Sequence, residues 1–339
     1  MVTIIIPVYN AKLYIERTLE SVLNQTYKNI QIILVDDGST DNSRKICNKY
    51  AEQYSNIEVH YQENKGVSAA RNLGMKKAAG TYIQFVDSDD YIERNMVESF
   101  VRDIEINKCD LVIGGYKNID NSNGSVTSKK SPESILKGMV DKDRLLLKLG
   151  LLYNELLINA IWNKLYLKSI IDKHGIEFKE EIRRGEDLLF NLDYIDCCSR
   201  IYLSKNIGYN YVQYGKDSQS ITSKFQDNIE YNEIFIYEKL KEFLLRNESY
   251  EGQNLIVIEN KFIQNLLECI WYYFNFELEH HEIKNRIKKI MNILNGNQYY
   301  DNFKPRNLQG KILNIFIKYR VVGIVMLLAY TKKKMKRFK

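Results

Sequence analysis

The residues of this chain with the plainest capacity for chemistry are carboxylates. Asp87, Asp89 and Asp90 lie in the stretch TYIQFVDSDDYI, after the apolar residues Tyr82, Ile83, Phe85 and Val86. Clustered negative charge at the end of a buried strand is costly unless something positive sits among it. One reading is a solvated loop in which an aspartate caps the next helix. The other is a divalent cation site, because Mg²⁺ or Mn²⁺ takes few protein carboxylates and completes its shell with phosphate oxygens. Asp87 and Asp89 lie two residues apart, which in extended chain places both on one side. One can then face a ribose and the other a metal. A second cluster, DDGS, sets Asp36 and Asp37 at the end of another apolar run. It reads either as a turn with Asp41 as the helix cap, or as an acceptor for a base N–H such as uracil N3. Arg71, in NKGVSAARNLG, falls on a small-residue helix. It is either a surface arginine or a planar fork reaching a base or a diphosphate. Glu186 and Asp187, in RRGEDLLFNLDY, precede an apolar helix. They suit the first turn of that helix and equally suit a base that takes a proton from a hydroxyl.

These groups must be positioned by the elements around them. VTIIIPV (2–8), IQIILVDD (30–37), IEVHYQ (57–62), TYIQFVD (81–87) and CDLVIGGY (109–116) read as strands, the first two as continuous apolar runs buried on both faces. Helical patterns fall between them, at 11–25, 40–54, 67–79 and 95–107. Such alternation implies a mostly parallel sheet with helices on both faces. Ligands bind such sheets beyond the carboxyl ends of the strands, where PVYN, DDGSTD and DSDD all lie. Further on, the polar stretch 117–134 reads as a long loop or hairpin, and helical periodicity continues to about residue 173. A tyrosine-rich segment at 201–222 reads as strands and turns, and 226–295 as amphipathic helices. No internal repeat is present.

Composition narrows the classes. The 339 residues are 45% hydrophobic and 27% charged, ordinary for a globular chain, with 25 Tyr and only 3 Pro. Cys47, Cys109, Cys197, Cys198 and Cys269 form no CxxC pair, which points to reduced thiols in a cytosolic protein. His60, His174, His280 and His281 lack metal-ligand spacing. The start, MVTIIIPVYN, reads as a strand and not as a signal peptide. The net charge of +6 is carried by the six basic residues of the last nine, TKKKMKRFK, so the body is balanced and no nucleic-acid partner is expected. Before that tail, Val321 to Tyr330 is apolar but too short to span a bilayer, which needs about 20 residues. An apolar helix with basic flanks can lie in an anionic membrane surface; the plainer reading is a core helix with a frayed end.

The order of the motifs carries a resemblance. IIIPVYNAKLYIERTLESVLNQTYKNIQIILVDDGSTDNS, followed by NKGVSAARNLGMKKAAGTYIQFVDSDD, resembles glycosyltransferase family 2 with its GT-A fold, densely over residues 2 to about 100. The resemblance implies an inverting hexosyl- or N-acetylhexosaminyltransferase that uses a nucleotide-diphospho-sugar, UDP-linked by expectation, with Mn²⁺ or Mg²⁺. Pro7, Tyr9 and Asp37 would line the nucleoside pocket with Asp36 beside it, and Arg71 would contact the uracil or the diphosphate. Asp87 and Asp89 would form the DXD pair, with Ser88 between them and Asp89 as the metal ligand. Asp187 would be the base and Glu186 its neighbour. AIWNKLY resembles a motif of bacterial members near donor sugar and acceptor. It suggests sugar contacts from Trp162, Asn163 and Lys164, while Trp162 reads equally as a core residue. YNYVQYGKDSQSIT departs from the family pattern where a basic residue is usual, leaving Lys216 as a weak candidate.

The expected domains are a GT-A domain at 1–225, with a nucleotide-sugar half to about 115 and an acceptor half beyond it, a helical extension at 226–300, and a basic membrane-associating tail at 301–339. The expected setting is surface polysaccharide synthesis on a glycan or lipid-linked acceptor, cytoplasmic and peripheral at the inner face of the cell membrane. A non-catalytic sugar-nucleotide-binding partner is the alternative. A nucleotidyltransferase would need a Gly-rich basic phosphate loop that PVYNAKLY does not supply.

Overall fold

β1 (Val2–Val8) and β2 (Ile30–Asp37) are buried at every residue. Their β-branched side chains crowd in a helix but fit a pleated surface covered on both faces. α1 (Ile15–Leu23), α2 (Ser43–Gln53) and α3 (Val67–Lys77) alternate with β3 (Ile57–Gln62) and β4 (Tyr82–Phe85). β1 pairs parallel with both β2 and β4, in registers that match Val8 with Asp36 and Ile5 with Phe85. β2 pairs parallel with β3, matching Asp37 with Gln62. The carboxyl ends of these strands therefore open on one edge, where Tyr9, Asp37 and Asp87 emerge.

The simple alternation ends there. β5 (Tyr91–Ile92) and α4 (Met96–Asn107) lead to β6 (Leu111–Ile113) and β7 (Tyr116–Asp120). The expected single strand at 109–116 is thus two strands in different sheets. Gly114 and Gly115 make the break: a Cβ at Gly114 would lie 2.4 Å from the Phe100 ring, and one at Gly115 would lie 2.2 Å from the Lys130 carbonyl oxygen. β8 (Val126–Lys130) pairs antiparallel with β7, so the polar stretch is a hairpin. β9 (Gly138–Asp141), α5 (Lys142–Leu146), α6 (Leu149–Asn154), β10 (Lys164–Leu167) and α7 (Lys168–His174) follow. The helical periodicity expected to about 173 holds only in part, since 138–141 and 164–167 are strands. Apolar runs as short as Leu165–Leu167 do not distinguish strand from helix by spacing alone. α8 (Glu186–Asp196), β11 (Arg200–Leu203) and β12 (Tyr209–Gln213) complete this series.

The large sheet has the order β3-β2-β1-β4-β10-β6-β11-β9, and a smaller one the order β5-β12-β7-β8. β10 runs antiparallel to both of its neighbours, and β11 runs parallel to β6 and antiparallel to β9. Under the site lies an aromatic core. Phe178 and Phe190 stack at 4.2 Å, and Phe85 meets both edge-on at 5.4 and 5.8 Å.

The computed structural model describes residues 1–214, 227, 229–274, 276, 278–296 and 322–323. They divide into two units, Met1–Ser218 and Gln219–Lys339. In the second, α10 (Gly252–Tyr273) packs against α9 (Ile229–Arg246) and α11 (His280–Gly296). Among the described residues no helix is long and apolar enough to cross a membrane. Lys216 and the basic tail lie outside the described residues.

Candidate active site

The loops at the opening of the sheet are fastened to one another before any ligand is considered. Past β1, Asn10 takes a left-handed backbone (φ 50°). Its amide donates to Ser39 Oγ at 3.1 Å, and its side-chain oxygen accepts from Thr40 N at 2.8 Å. Pro7 is buried within β1, and Tyr9 is exposed beyond it.

Asp36 and Asp37 have different occupations. Asp36 is fully buried, and its Oδ2 is paired with Arg44 through both Nε and Nη2, each at 2.7 Å. It braces α2 against β2 and does not face the opening. Asp37 Oδ1 accepts from Gln62 Nε2 (2.7 Å) and Lys65 N (2.8 Å), and Oδ2 accepts from Gly66 N (2.9 Å). A carboxylate offers about four acceptor positions, so one remains on Oδ2. Gly66, at φ 96°, delivers that amide and starts α3.

Arg71 is the centre of the site. α3 approaches β1 closely enough that a Cβ on Gly74 would lie 2.4 Å from Ile5. This packing carries Arg71 inward until its side chain is 4% exposed. There Nη1 donates to Asp187 Oδ1 at 2.7 Å and to Glu186 Oε1 at 3.4 Å, and Nη2 donates to Asp87 Oδ1 at 3.1 Å. The guanidinium also lies 5.3 Å over the Phe178 ring. Asp187, Asp87 and Glu186 together hold its pKa above the ordinary arginine value despite burial. Arg71 is thus turned to carboxylates rather than presented to a base. Burial pushes the Asp187 carboxyl up to about 8; Arg71 opposes this, Glu186 and Asp87 add to it, and Lys164 opposes it. Gly185, at φ 88°, turns the chain so that Glu186 and Asp187 begin α8.

The aspartates after β4 also separate by environment. Asp90 is buried, accepting from Tyr209 Oη at 2.8 Å and from Val212 N at 2.7 Å. It joins β12 to the acidic loop. Asp89 is half-buried, and burial and then Asp87 push its carboxyl up to about 6. Its carbonyl accepts from Arg17 Nη2 and from Tyr214 Oη (2.7 Å), while Thr18 Oγ1 donates to the Ser88 carbonyl at 3.0 Å. Among the described residues no three His, Cys, Asp or Glu side chains form a cation cage. A single hard carboxylate at Asp89 nonetheless fits an ion that takes most of its ligands from phosphate and water.

Trp162 is buried, stacked on Tyr209 at 4.1 Å and on Tyr211 at 5.9 Å, with Tyr116 edge-on at 4.9 Å. Asn163 and Lys164 are fully buried and bond to backbone carbonyls beneath the site. Neither side chain is exposed at the opening. The polar groups of NKLY have carbonyls of the preceding loop to satisfy, and the strand β10 turns them inward.

The family profile for glycosyl transferase family 2 matches residues 3–175. The chain belongs to that family. This family 2 member is 31% identical over 260 residues to the putative glycosyltransferase EpsH of Bacillus subtilis (strain 168), covering 74% of this chain and 71% of that one. It is 45% identical over 126 residues to glycosyltransferase GlyG of Streptococcus pneumoniae serotype 4, covering 37% of this chain and 42% of that one. It spans 42%, 32% and 55% of the lengths of GlyG, GlyA and EpsJ. A crystal structure of S. aureus TarS 1-349 superposes with a TM-score of 0.62 at 19% identity, over 98% of this chain and 91% of that one. The fold of this family member is accordingly of the GT-A type. Nothing in the sequence singles out Arg17, Tyr209 or Tyr214. Each binds through hydrogen bonds that no spacing rule announces. The nearest signal was Arg17, a charge placed beside the buried residue Thr18 on α1.

Proposed function

We propose that the protein transfers a sugar, with inversion, from a nucleotide-diphospho-sugar to a glycan or lipid-linked acceptor in surface polysaccharide synthesis. The observation that carries this is Arg71, which joins Asp87 on the donor side to Asp187 on the acceptor side. One guanidinium therefore holds together the donor-side and acceptor-side carboxylates that flank the anomeric carbon in this reading. Asp187 accepts the proton of the acceptor hydroxyl as the new C–O bond forms and the bond to the diphosphate breaks. Burial, by lifting this carboxyl to about 8, brings it near the operating pH, where a general base is most effective. Arg71 holds it in place, and Glu186 shares the guanidinium.

Asp37 recognises the base through its remaining acceptor position, with Tyr9 and Pro7 beside it. Asp89 would hold Mn²⁺ or Mg²⁺, which would neutralise the departing diphosphate. A UDP-linked donor is supported by a solved complex of TarS with UDP-GlcNAc, similar in fold at a TM-score of 0.61. A polymer acceptor at the cell surface is supported by 44% identity over 115 residues to the minor teichoic acid biosynthesis protein GgaB of B. subtilis (strain 168), of which those residues are 13%.

The test is a panel of UDP-, GDP- and dTDP-sugars incubated with Mn²⁺ and alkyl glycoside or lipid-linked acceptors. Release of nucleotide diphosphate that increases with acceptor is the expected result. Donor binding with no release from any sugar would favour a non-catalytic partner and overturn the transfer reading.

A further inference from the structure

Lys164 is fully buried, yet it carries an amine that the transfer chemistry does not use. Its Nζ donates to the carbonyls of Leu157 (2.8 Å) and Ala160 and to Asn163 Oδ1 (2.9 Å). Three oxygen acceptors match the three N–H bonds of an ammonium; a neutral amine would turn a lone pair towards one of them. The Ala160 carbonyl is shared. Asn191 Nδ2 donates to it at 2.9 Å, and to the Ile158 carbonyl at 2.7 Å. Asn191 lies four residues beyond Asp187 on α8, which places the two on one face of the helix. Tyr166 Oη completes the set by donating to Asn191 Oδ1 at 2.7 Å. The loop carrying Trp162 is thus suspended from a buried cation and from the helix face that bears Asp187.

Charge points the same way. Arg71 serves Asp87, Glu186 and Asp187, so three carboxylates surround one guanidinium. We propose that Lys164 is a positioning residue for the transfer reaction: its buried ammonium ties the 157–163 loop to the base-bearing face of α8 and supplies the second positive charge of the carboxylate cluster. This rests on the glycosyl-transfer reading of the site. Burial draws the Lys164 amine down, and the ionised Asp187 opposes that fall, so the carboxylate favours the ammonium. Arg71 and Lys164 favour the ionised Asp187, while Glu186 and Asp87 disfavour it, and the Tyr166 hydroxyl also feels its charge.

Lys164→Met keeps the length of the side chain and removes the charge. Its expected effect is a fall of about tenfold in kcat near neutral pH, with the acid limb of the pH–rate profile moved up by about one unit. Affinity for UDP, bound on the far side of Arg71, should stay within about twofold of wild type. A uniform fall at every pH, or no fall, would overturn the proposal, since a merely structural lysine would not move the limb. A second measurement needs no turnover and decides even if the variant does not fold. The lysine Nζ–Cε correlation of wild type, assigned where possible by its absence in Lys164→Met or otherwise by its protection from exchange, should be that of an ammonium at about pH 8, where Asp187 ionises. A neutral amine there would overturn the proposal. Should no sugar nucleotide be cleaved by wild type, the transfer reading fails, and this resonance still decides the charge of Lys164.

Discussion

Replacing Arg71 by Met isolates what its guanidinium contributes. The substitution removes a cation bonded to Asp187 at 2.7 Å, Asp87 at 3.1 Å and Glu186 at 3.4 Å. Taking one partner from a buried ion pair costs about 3–5 kcal/mol, because the remaining charge is left without compensation. The three carboxylates keep 14–27% side-chain exposure, so the lower end, about 3 kcal/mol, applies. In a unit of this size each kcal/mol lowers Tm by about 2–4 °C, which gives a fall of roughly 6–12 °C near neutral pH. The sign with pH follows from proton counting. Without Arg71 the folded-state pKa of Asp187, already raised by burial, rises further above its unfolded value of about 4. The folded variant then binds more protons than the unfolded chain, and its stability falls as pH rises through that window. The gap between variant and wild type should therefore be smallest near pH 5 and widest near pH 8. Calorimetric melts of wild type, Arg71→Met and Arg71→Lys across that range provide the assay, the lysine being intermediate because a point charge cannot fork to three partners. A gap of equal size at every pH, or a variant as stable as wild type, would refute the argument.

Asp89→Asn should abolish most metal-dependent nucleotide release while leaving the melting curve close to wild type, since an amide is a poor ligand for a hard cation; full activity of wild type in EDTA would sink the metal assignment. Asp37→Ala should weaken UDP binding by at least about tenfold in calorimetric titration, the loss of a charged hydrogen bond being worth about 1.5–3 kcal/mol; because Asp37 also anchors Lys65 and Gly66, an unchanged dissociation constant would count doubly against it. Asp187→Asn should leave UDP affinity nearly intact and cut transfer by roughly 10²–10⁴-fold, while Glu186→Gln keeps the larger share of its rate. The wild-type rate should climb with pH below about 8, as Asp187 ionises, and a flat profile there would remove Asp187 as the base.

The nucleotide-side strands were readable because VTIIIPV and IQIILVDD are runs that only a doubly covered parallel sheet accommodates, and both form such strands. The short strand at Lys164–Leu167 was not readable as one. Its role depends on neighbours at Leu111–Ile113 and Tyr82–Ile83 that are distant in sequence. The site divides in the same way. The carboxylates after strand ends were visible as chemistry, but which of them serves structure was not. Asp36 belongs to Arg44 and Asp90 to Tyr209, pairings that follow from the three-dimensional register and not from spacing. Lys164 read as a sugar contact since its position in the motif was legible and its burial was not.

The antiparallel seat of β10 between β4 and β6 also bears on how the chain is made. β3, β2, β1 and β4 come from the first 85 residues and can pair in the order of synthesis. β4's outer edge, however, waits for Lys164–Leu167 to emerge. Through that interval a nascent chain presents unpaired backbone donors and acceptors on a strand whose Ile83 and Phe85 are fully buried once folded. Bare edges of this kind recruit other strands. Substitutions that weaken the 164–167 pairing should accordingly show first as insoluble protein in expression and only afterwards as a lower melting temperature in whatever fraction folds.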